Sequence, residues 1–210
     1  MKQAAREARF LMDRGYPAAS AVRFVCDHHR LAGDQRMVLQ RVIVPAGIAL
    51  SRMGRALSLH EIRGREIFLD GYNCIITTES LLEGFAVYLC DDGFLRDTRG
   101  FFGRYRASKS ACRAIQEILG LLAEAGPGRT VFLLDCQISR SGELAAEIRG
   151  LMAQMGLEGD ALCQRDVDRQ LKCCRKIVAS SDGIVIDSAP EAIDLPAEIA
   201  RRRGIKATII

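Results

Sequence analysis

The sequence lacks the cysteine and histidine patterns that mark zinc modules. None of its eight cysteines belongs to a CxxC pair, and none stands at zinc-finger spacing from a histidine. The three histidines are His28 and His29, in a predicted helix, and His60, in a predicted linker. No cysteine or acidic residue stands at a spacing that would make a zinc site with them. We therefore predict no zinc site and expect ordinary surface or core histidines.

Long apolar runs are missing as well. No apolar stretch approaches the roughly 20 residues that a membrane-spanning helix needs. Met1–Phe10 is charged and lacks the apolar core of a signal peptide. We therefore expect no membrane interaction and a cytoplasmic location. A GxGxxG motif is also missing after the first predicted strand, which argues against a dinucleotide-binding domain.

The cysteines that are present mostly follow apolar patterns, as Cys74, Cys90 and Cys136 do. Free cysteine behaves as a small hydrophobic residue, so most of the cysteines are expected to be buried thiols. The net charge is only +4, but arginines crowd the N-terminal third of the chain. A basic patch attracts a phosphate backbone without reading its sequence, although a solvated arginine-rich surface is a common alternative.

Residues 1–60 are predicted to form a small helical region. Gly15 suits the end of a first helix, because glycine tolerates the left-handed conformation, and Pro17 suits the first turn of a second helix. Asp34 can cap a third helix, and Pro45 marks its end. Such helices could bind nucleic acid, bind a partner protein or form a homo-oligomer, and the sequence leaves these alternatives open.

The pattern changes at Arg65, and residues 65–210 are predicted to form an α/β domain. Short apolar runs here alternate with helical patterns, which is typical of a mostly parallel sheet flanked by helices. The predicted strands are Glu66–Asp70, Ala86–Cys90, Thr130–Leu134, Lys176–Ala179, Gly183–Ile186 and Lys206–Ile210. The predicted helices are Ser108–Ala125, Ser141–Met155, Val167–Arg175 and Glu191–Arg203.

Aspartates recur where the predicted strands end. Asp70, Asp135 and Asp187 each follow an apolar run directly, and Asp182 precedes the last of these runs. Ligands of parallel α/β sheets bind outside the carboxyl ends of the strands. Clustered carboxylates repel one another, and a hard divalent cation relieves that repulsion. The pattern therefore predicts a Mg²⁺ or Mn²⁺ site, while any single aspartate could instead form a turn or cap a helix.

The segment Glu66–Asn73, which reads EIFLDGYN, resembles the opening strand of the NYN branch of the PIN-like nuclease superfamily. Three later segments are similar to further family motifs in the same order, and the likeness covers about residues 65–210. Val131–Asp135 looks like the second acid-bearing strand, Asp166–Asp168 like an acidic helix start, and Ile177–Asp182 like a late strand ending in Ser/Thr-x-Asp. The segment 91–107 has no counterpart in the family pattern, and it is predicted to form a hairpin or an exposed loop.

This resemblance implies a metal-dependent ribonuclease with a PIN-like domain over residues 65–210. It implies that Asp70, Asp135 and Asp182 are catalytic metal ligands, directly or through water, with Asp168 as a fourth. Asn73 is expected to position a ligand or a phosphate oxygen, or else to make a local turn. The expected metal is Mg²⁺ or Mn²⁺, and the expected partner is RNA.

Basic residues near the strand ends are the candidate substrate contacts. Ser139 and Arg140 precede a predicted helix, whose N–H groups could bind a phosphate, although an ordinary cap by Ser139 or Ser141 is the alternative. In 91–107, arginines alternate with aromatic residues, a pattern suited to holding a nucleic-acid strand by charge and stacking or to packing on the domain. These residues are Arg96, Arg99, Arg104 and Arg106, with Phe94, Phe101, Phe102 and Tyr105.

Two other functions compete with the nuclease hypothesis. A degenerate nuclease fold would give a non-catalytic RNA-binding or scaffold protein, because a fold does not by itself imply an activity. A haloacid-dehalogenase-like phosphatase is disfavoured, since that family's opening strand carries a second aspartate two residues after the first. Here Gly71 and Tyr72 follow Asp70.

Overall fold

The computed structural model describes residues 1–99 and 109–210. Within residues 1–60, the chain forms the predicted helical region. Its helices are α1 (Lys2–Met12), α2 (Ala18–His28), α3 (Gly33–Val42) and α4 (Ala46–Met53), followed by a short 3₁₀ helix, Leu59–Ile62. The small buried side chains of Ala4, Ala5 and Ala8 let α1 pack closely against α2, whose Val22 and Val25 are buried beneath it.

The domain that follows is built on a parallel sheet, as predicted. Its strands are β1 (Glu66–Asp70), β4 (Arg129–Asp135), β5 (Gly159–Gln164), β6 (Ile177–Ala179) and β7 (Glu191–Ile193). In the described residues these five strands lie in the order β5-β4-β1-β6-β7, and every pair is parallel. A separate antiparallel hairpin pairs β2 (Val87–Leu89) with β3 (Leu95–Asp97).

Helices cover both faces of the sheet. Alternation along β1 sends Ile67 and Leu69 to one face and Phe68 to the other, and each face has its own hydrophobic cluster. The helices of the domain are α5 (Gly71–Leu82), α6 (Lys109–Ala125), α7 (Ser141–Gln154), α8 (Val167–Cys173), α9 (Gly183–Ser188) and α10 (Leu195–Arg203). The predicted α/β class, with a mostly parallel sheet flanked by helices after a helical region, is confirmed.

The chain order of the strands creates a switch point in the sheet. From β1 the chain builds outward to β4 and β5, and it then returns to place β6 and β7 on the other side of β1. Ligand sites of open α/β sheets lie at such points, outside the carboxyl ends of the strands. Asp70, the last residue of β1, therefore lies where a binding site is expected.

Several predicted elements are wrong. Gly183–Ile186 is helical, because Asp182 accepts hydrogen bonds from the N–H groups of Ile184 and Val185 and so starts α9. A short apolar run does not distinguish a strand from a buried helix by its periodicity. The predicted strand Ala86–Cys90 belongs to the hairpin and not to the parallel sheet.

Further differences lie near the C-terminus. The predicted helix Glu191–Arg203 is divided into β7 and α10, because Asp194 caps α10 and Pro196 occupies its first turn. Lys206–Ile210 makes only an isolated bridge between Thr208 and Tyr88. Strand β5 has no predicted counterpart.

All eight cysteines are free thiols, but their burial differs from the expectation. Cys74 and Cys90 are buried as predicted, and burial raises the pKa of the Cys90 thiol to about 11. Cys136 and Cys173 are exposed. Cys136 follows the last residue of β4 and so lies beyond the covered part of the strand. Among the described residues, none of the helices is both long and apolar enough to cross a bilayer.

Candidate functional site

Asp70 lies at the centre of the carboxyl edge of the sheet. It ends β1 and caps α5, where its Oδ1 accepts a hydrogen bond from the Asn73 N–H at 3.4 Å. The Ser180 hydroxyl donates to Asp70 Oδ2 at 3.0 Å from the loop after β6. The carboxylate is thus held across the switch point between β1 and β6.

The residues after Asp70 explain why the motif reads Asp-Gly-Tyr-Asn. Gly71 packs directly against β4, and a Cβ atom there would lie 2.9 Å from the Leu133 carbonyl oxygen. The Asn73 side-chain oxygen accepts hydrogen bonds from the Ser181 N–H at 2.9 Å and from the Ser181 hydroxyl at 3.1 Å. Asn73 therefore orients the loop that carries Ser180, while its expected contact with a bound group stays a prediction.

The environment of Asp70 disfavours its charge. Burial raises the pKa of this carboxyl to about 7, although hydrogen bonds from Ser180 and the Asn73 N–H act in the opposite direction. The negative charges of Asp168 and Asp182 raise the pKa further. A nearby cation would favour the ionised form, because opposite charges stabilise each other at short range. A cation bound beside Asp70 would therefore lower the pKa of this carboxyl.

A cavity of about 600 Å³ opens beside Asp70. Three of the predicted metal ligands line it, and they come from separate segments of the chain. Asp70 comes from the end of β1, Asp135 from the end of β4, and Asp168 from the first turn of α8. The remaining lining residues are Tyr72, Leu133, Gln137, Ile138, Asp166, Val167, Arg169 and Lys172. The fold therefore brings Asp70, Asp135 and Asp168 to one concave surface.

The carboxylates of this cavity are spread and not tightly clustered. Asp70 is level with Leu133 in the strand pairing, so Asp135 lies two residues farther along β4. That offset, with the spacing between strands, separates the two Cα atoms by about 8 Å. Among the described residues, no three of these aspartates have ligand oxygens within 4.8 Å of one another. The arrangement fits a cation that keeps part of its water shell, as Mg²⁺ commonly does.

Two basic residues accompany the aspartates in the cavity. Arg169 and Lys172 both lie on α8, and Lys172 is four residues after Asp168, on the same face of the helix. Neither residue is among the substrate contacts predicted from the sequence. The four-residue spacing of Lys172 from Asp168 on a predicted helix indicates that the two residues share a face. A cavity that combines acids and cations in this way can hold a metal and a phosphate side by side.

Asp182 occupies the other side of Asp70. Its Oδ1 caps α9 through the N–H groups of Ile184 at 2.8 Å and Val185 at 3.3 Å. Its side chain lines a second groove of about 540 Å³, between the N-terminal helices and α9. Asp182 is close enough to raise the pKa of Asp70, but it does not line the cavity that Asp135 and Asp168 share.

Arg96 takes the second of the roles that the sequence left open, because it packs into the domain. Arg96 is buried, and its guanidinium forms two hydrogen bonds with the Asp92 carboxylate, at 2.8 and 2.7 Å. Its Nε donates to the Ser181 carbonyl oxygen at 2.6 Å. A buried arginine needs a charged partner because water cannot reach it, and Asp92 is that partner. Arg96 therefore holds the loop after β6 in place through the Ser181 carbonyl oxygen.

The other predicted substrate contacts have different outcomes. Ser139 and Arg140 are exposed and follow Ile138, where the lining of the cavity ends. Arg140 precedes α7 in a left-handed conformation, with φ at 66°, and its side chain pairs with Glu143. The predicted caps by Ser139 or Ser141 do not form. Arg104, Arg106, Phe101, Phe102 and Tyr105 lie outside the described residues.

Two further residues in the described part of the predicted 91–107 loop make contacts within the domain. Phe94 is buried in the core, so it cannot stack on a base. Arg99 is partly buried and lies near two acidic side chains, with nitrogen–oxygen distances of 3.6 Å to Glu79 in α5 and 3.5 Å to Glu83, the residue after α5.

Comparison with known proteins identifies a family but no activity. Residues 59–198 match the family model described as a domain of unknown function, DUF5616. Residues 1–55 match the model described as a protein of unknown function, DUF434. An uncharacterized protein of Methanocaldococcus jannaschii is 31% identical over 201 residues, which cover 94% of this chain and 95% of the relative. No solved structure matches the chain.

Proposed function

The chain belongs to the DUF5616 family, and we propose that it is a metal-dependent ribonuclease that hydrolyses RNA phosphodiester bonds at the carboxyl edge of its sheet. One observation carries the proposal. Asp70, Asp135 and Asp168 reach the same cavity from three separate segments, and Arg169 and Lys172 line it with them. Acids that could hold a divalent cation thus lie beside bases that could hold a phosphate.

The resemblance of Glu66–Asn73 to the NYN branch of the PIN-like nucleases supports the same assignment. In that branch the corresponding aspartate binds metal, and in this chain it is Asp70, which also caps α5 and accepts from Ser180. The free thiols of the chain suit a reducing compartment, and the proposal includes a cytoplasmic location.

The donor set fits Mg²⁺ or Mn²⁺. Every candidate ligand is a carboxylate, and hard cations of this type prefer oxygen. Asp70, Asp135 and Asp168 would hold the ion, directly or through water. A divalent ion bound there supplies Lewis-acid stabilisation of the charge that develops on the phosphate. Lys172 and Arg169 bind neighbouring phosphates by charge, and Asn73 and Ser180 keep Asp70 in place.

A second candidate is a non-catalytic RNA-binding protein on a degenerate nuclease fold. The spread of the carboxylates favours it, because no three of these aspartates bring ligand oxygens within 4.8 Å of one another in the described residues. Local backbone contacts also occupy some of them. Asp135 Oδ1, for example, accepts the Gln137 N–H at 2.8 Å. This candidate predicts salt-sensitive RNA binding without cleavage.

The test is RNA cleavage by the purified full chain, on single-stranded and structured RNA, with Mn²⁺, with Mg²⁺ and after chelation. We expect metal-dependent cleavage that Asp70→Asn lowers by about 1,000-fold or more, since several kcal/mol of charge stabilisation are lost and each 1.36 kcal/mol is tenfold in rate. The matched control is Asp160→Asn. Asp160 lies at the amino end of β5, on the opposite edge of the same sheet.

Each result separates the two candidates. Full activity of Asp160→Asn together with loss in Asp70→Asn supports the nuclease. Equal cleavage by Asp70→Asn and the unmodified chain contradicts it. RNA binding that Asp70→Asn retains, with no cleavage by any of the three proteins in either metal, supports the non-catalytic candidate.

A further inference from the structure

A second group of metal-binding side chains lies in the helical region. Glu7 of α1 and His28 and His29 at the end of α2 bring ligand atoms within 4.8 Å of one another. Among the described residues, no other group of three such side chains meets this distance. The group was not predicted from the sequence, because Glu7 belongs to another helix. Its 22-residue distance from His29 matches no local spacing pattern.

The two histidine rings meet because α2 ends between them. Neighbouring residues inside a helix point about 100° apart and do not face each other. His28 is the last residue of α2, and His29 has left helical geometry, with φ at −85° and ψ at 1°. The ring centroids are therefore only 5.0 Å apart, with the rings nearly perpendicular. Both imidazoles are presented to the space next to Glu7.

Glu7 and His28 are each oriented by a residue one helical turn earlier. The Gln3 amide donates to Glu7 Oε1 at 2.8 Å, which turns Oε2 toward His29. The Phe24 ring stacks on His28, with 6.5 Å between centroids and 7° between planes. Outer contacts of this kind set the orientation of metal ligands in known sites. His29 Nε2 and Glu7 Oε2 are 2.6 Å apart.

We propose that Glu7, His28 and His29 bind a divalent transition metal, with Zn²⁺ as the matching ion. Two imidazoles and one carboxylate with an open fourth position are a recurrent zinc ligand set. Imidazole disfavours Mg²⁺, so this site differs in ligand class from the edge of the sheet. A ligating imidazole carries no proton on the nitrogen that binds the metal, so Zn²⁺ replaces the hydrogen bond between His29 Nε2 and Glu7 Oε2. His28 is exposed, so the ion has direct access to the site.

The geometry needs only a small adjustment. Ligand atoms about 2.0–2.1 Å from a tetrahedral zinc ion lie roughly 3.3 Å from one another. The Glu7–His29 pair must therefore open by less than about 1 Å, while the three ligand atoms are already within 4.8 Å. Bound zinc would join α1 to α2 and so stabilise the helical region against unfolding.

The test uses the full chain, stripped of metal and titrated with Zn²⁺ by calorimetry, with Co²⁺ as a spectroscopic probe. We expect binding of one equivalent at these side chains and a rise in melting temperature with zinc. His28→Gln should weaken zinc binding by at least about 100-fold, because it removes a direct ligand and even outer contacts are worth 10–100-fold. His28 is exposed, so the metal-free variant should melt like the unmodified chain.

The matched control is His60→Gln, which removes the remaining histidine of the chain and should leave zinc affinity unchanged. The Co²⁺ complex should lack thiolate-to-metal absorption, since a cysteine site would show it. Asp70→Asn should bind zinc normally, so loss of the proposed nuclease does not affect this result. Equal zinc affinity in the unmodified chain and His28→Gln, a thiolate spectrum, or no binding at micromolar zinc overturns the proposal.

Discussion

Asp70 and Asp92 lie near the same loop of the molecule but have opposite electrostatic surroundings. Asp92 is fully buried against Arg96 and Arg52, and burial alone would raise its pKa, but the hydrogen bonds and charges of the two arginines lower it overall. In the described part of the chain, no lysine or arginine forms an ion pair with Asp70, and its pKa rises to about 7. The protein itself has neutralised Asp92, whereas Asp70 is the carboxyl that a cation from solvent would stabilise.

The charged partners of an aspartate distinguish a structural ion pair from a candidate metal ligand better than its sequence position does. Both aspartates follow an apolar run, and both could be predicted as metal ligands from sequence. Their partners decide the matter, because a buried carboxylate with two arginine partners has no need of a metal. Substitutions at Asp92 and at Asp70 each change one side of this comparison.

The largest expected effect on stability comes from Asp92→Ala. It leaves Arg96 buried and without its carboxylate partner, which costs about 3–5 kcal/mol of unfolding free energy. Urea denaturation at neutral pH measures this loss. Asp187→Ala is the matched control, because it removes an exposed partner of the same Arg52 and should cost about 1 kcal/mol or less. Equal losses in the two variants would contradict the contrast between buried and exposed pairs.

The next effect is a pH-dependent gain in stability in Asp70→Asn. Between about pH 4 and 7, folded Asp70 holds a proton that the unfolded chain has released, so the metal-free protein loses stability as pH rises through this window. The variant carries no such penalty. At pH 8 and without metal it should be more stable by about 1–3 kcal/mol, since one pKa unit corresponds to 1.36 kcal/mol.

Below about pH 4 Asp70→Asn and the unmodified chain should have the same stability, because Asp70 is then protonated in both the folded and the unfolded state. Added Mn²⁺ should narrow the gap at pH 8 by stabilising only the unmodified chain. Denaturation curves at a series of pH values, with and without metal, measure both changes. A constant difference across the whole range would show that Asp70 does not titrate as stated.

The smallest effect is expected from Lys172→Ala. If Lys172 contacts a phosphate as proposed, its loss should lower RNA affinity roughly three- to tenfold and decrease the slope of log K against log salt by about one. Binding titrations at several salt concentrations measure both quantities. Lys176→Ala, which changes an exposed lysine paired with Glu66 at the opposite end of β6, is the control and should change neither. Unchanged affinity in Lys172→Ala would remove this side chain from the proposed RNA site.

The sequence was sufficient to predict three of the five strands, β1, β4 and β6, and the acids that end β1 and β4, because strand-end positions follow from local pattern. Asp70 and Asp135 were predicted in this way and Asp168 from the family resemblance, and the three residues line one cavity. Pairing between distant residues was not predictable. The ion pair that buries Arg96 depends on how the hairpin packs, and Glu7 meets His28 only when α1 packs on α2. The spacing of apolar residues along a helix or a strand reveals which residues share a face, but it does not reveal which faces pack together.

The switch point also determines when the proposed site exists during synthesis. Asp70 is translated early, but its Ser180 contact is made 110 residues later, after β4 and β5 have been added on the other side of β1. In a chain still emerging from the ribosome, the carboxyl edge of the sheet is therefore incomplete until β6 has been synthesised. If the edge cleaves RNA, its activity begins only after the message for almost the entire domain has been translated.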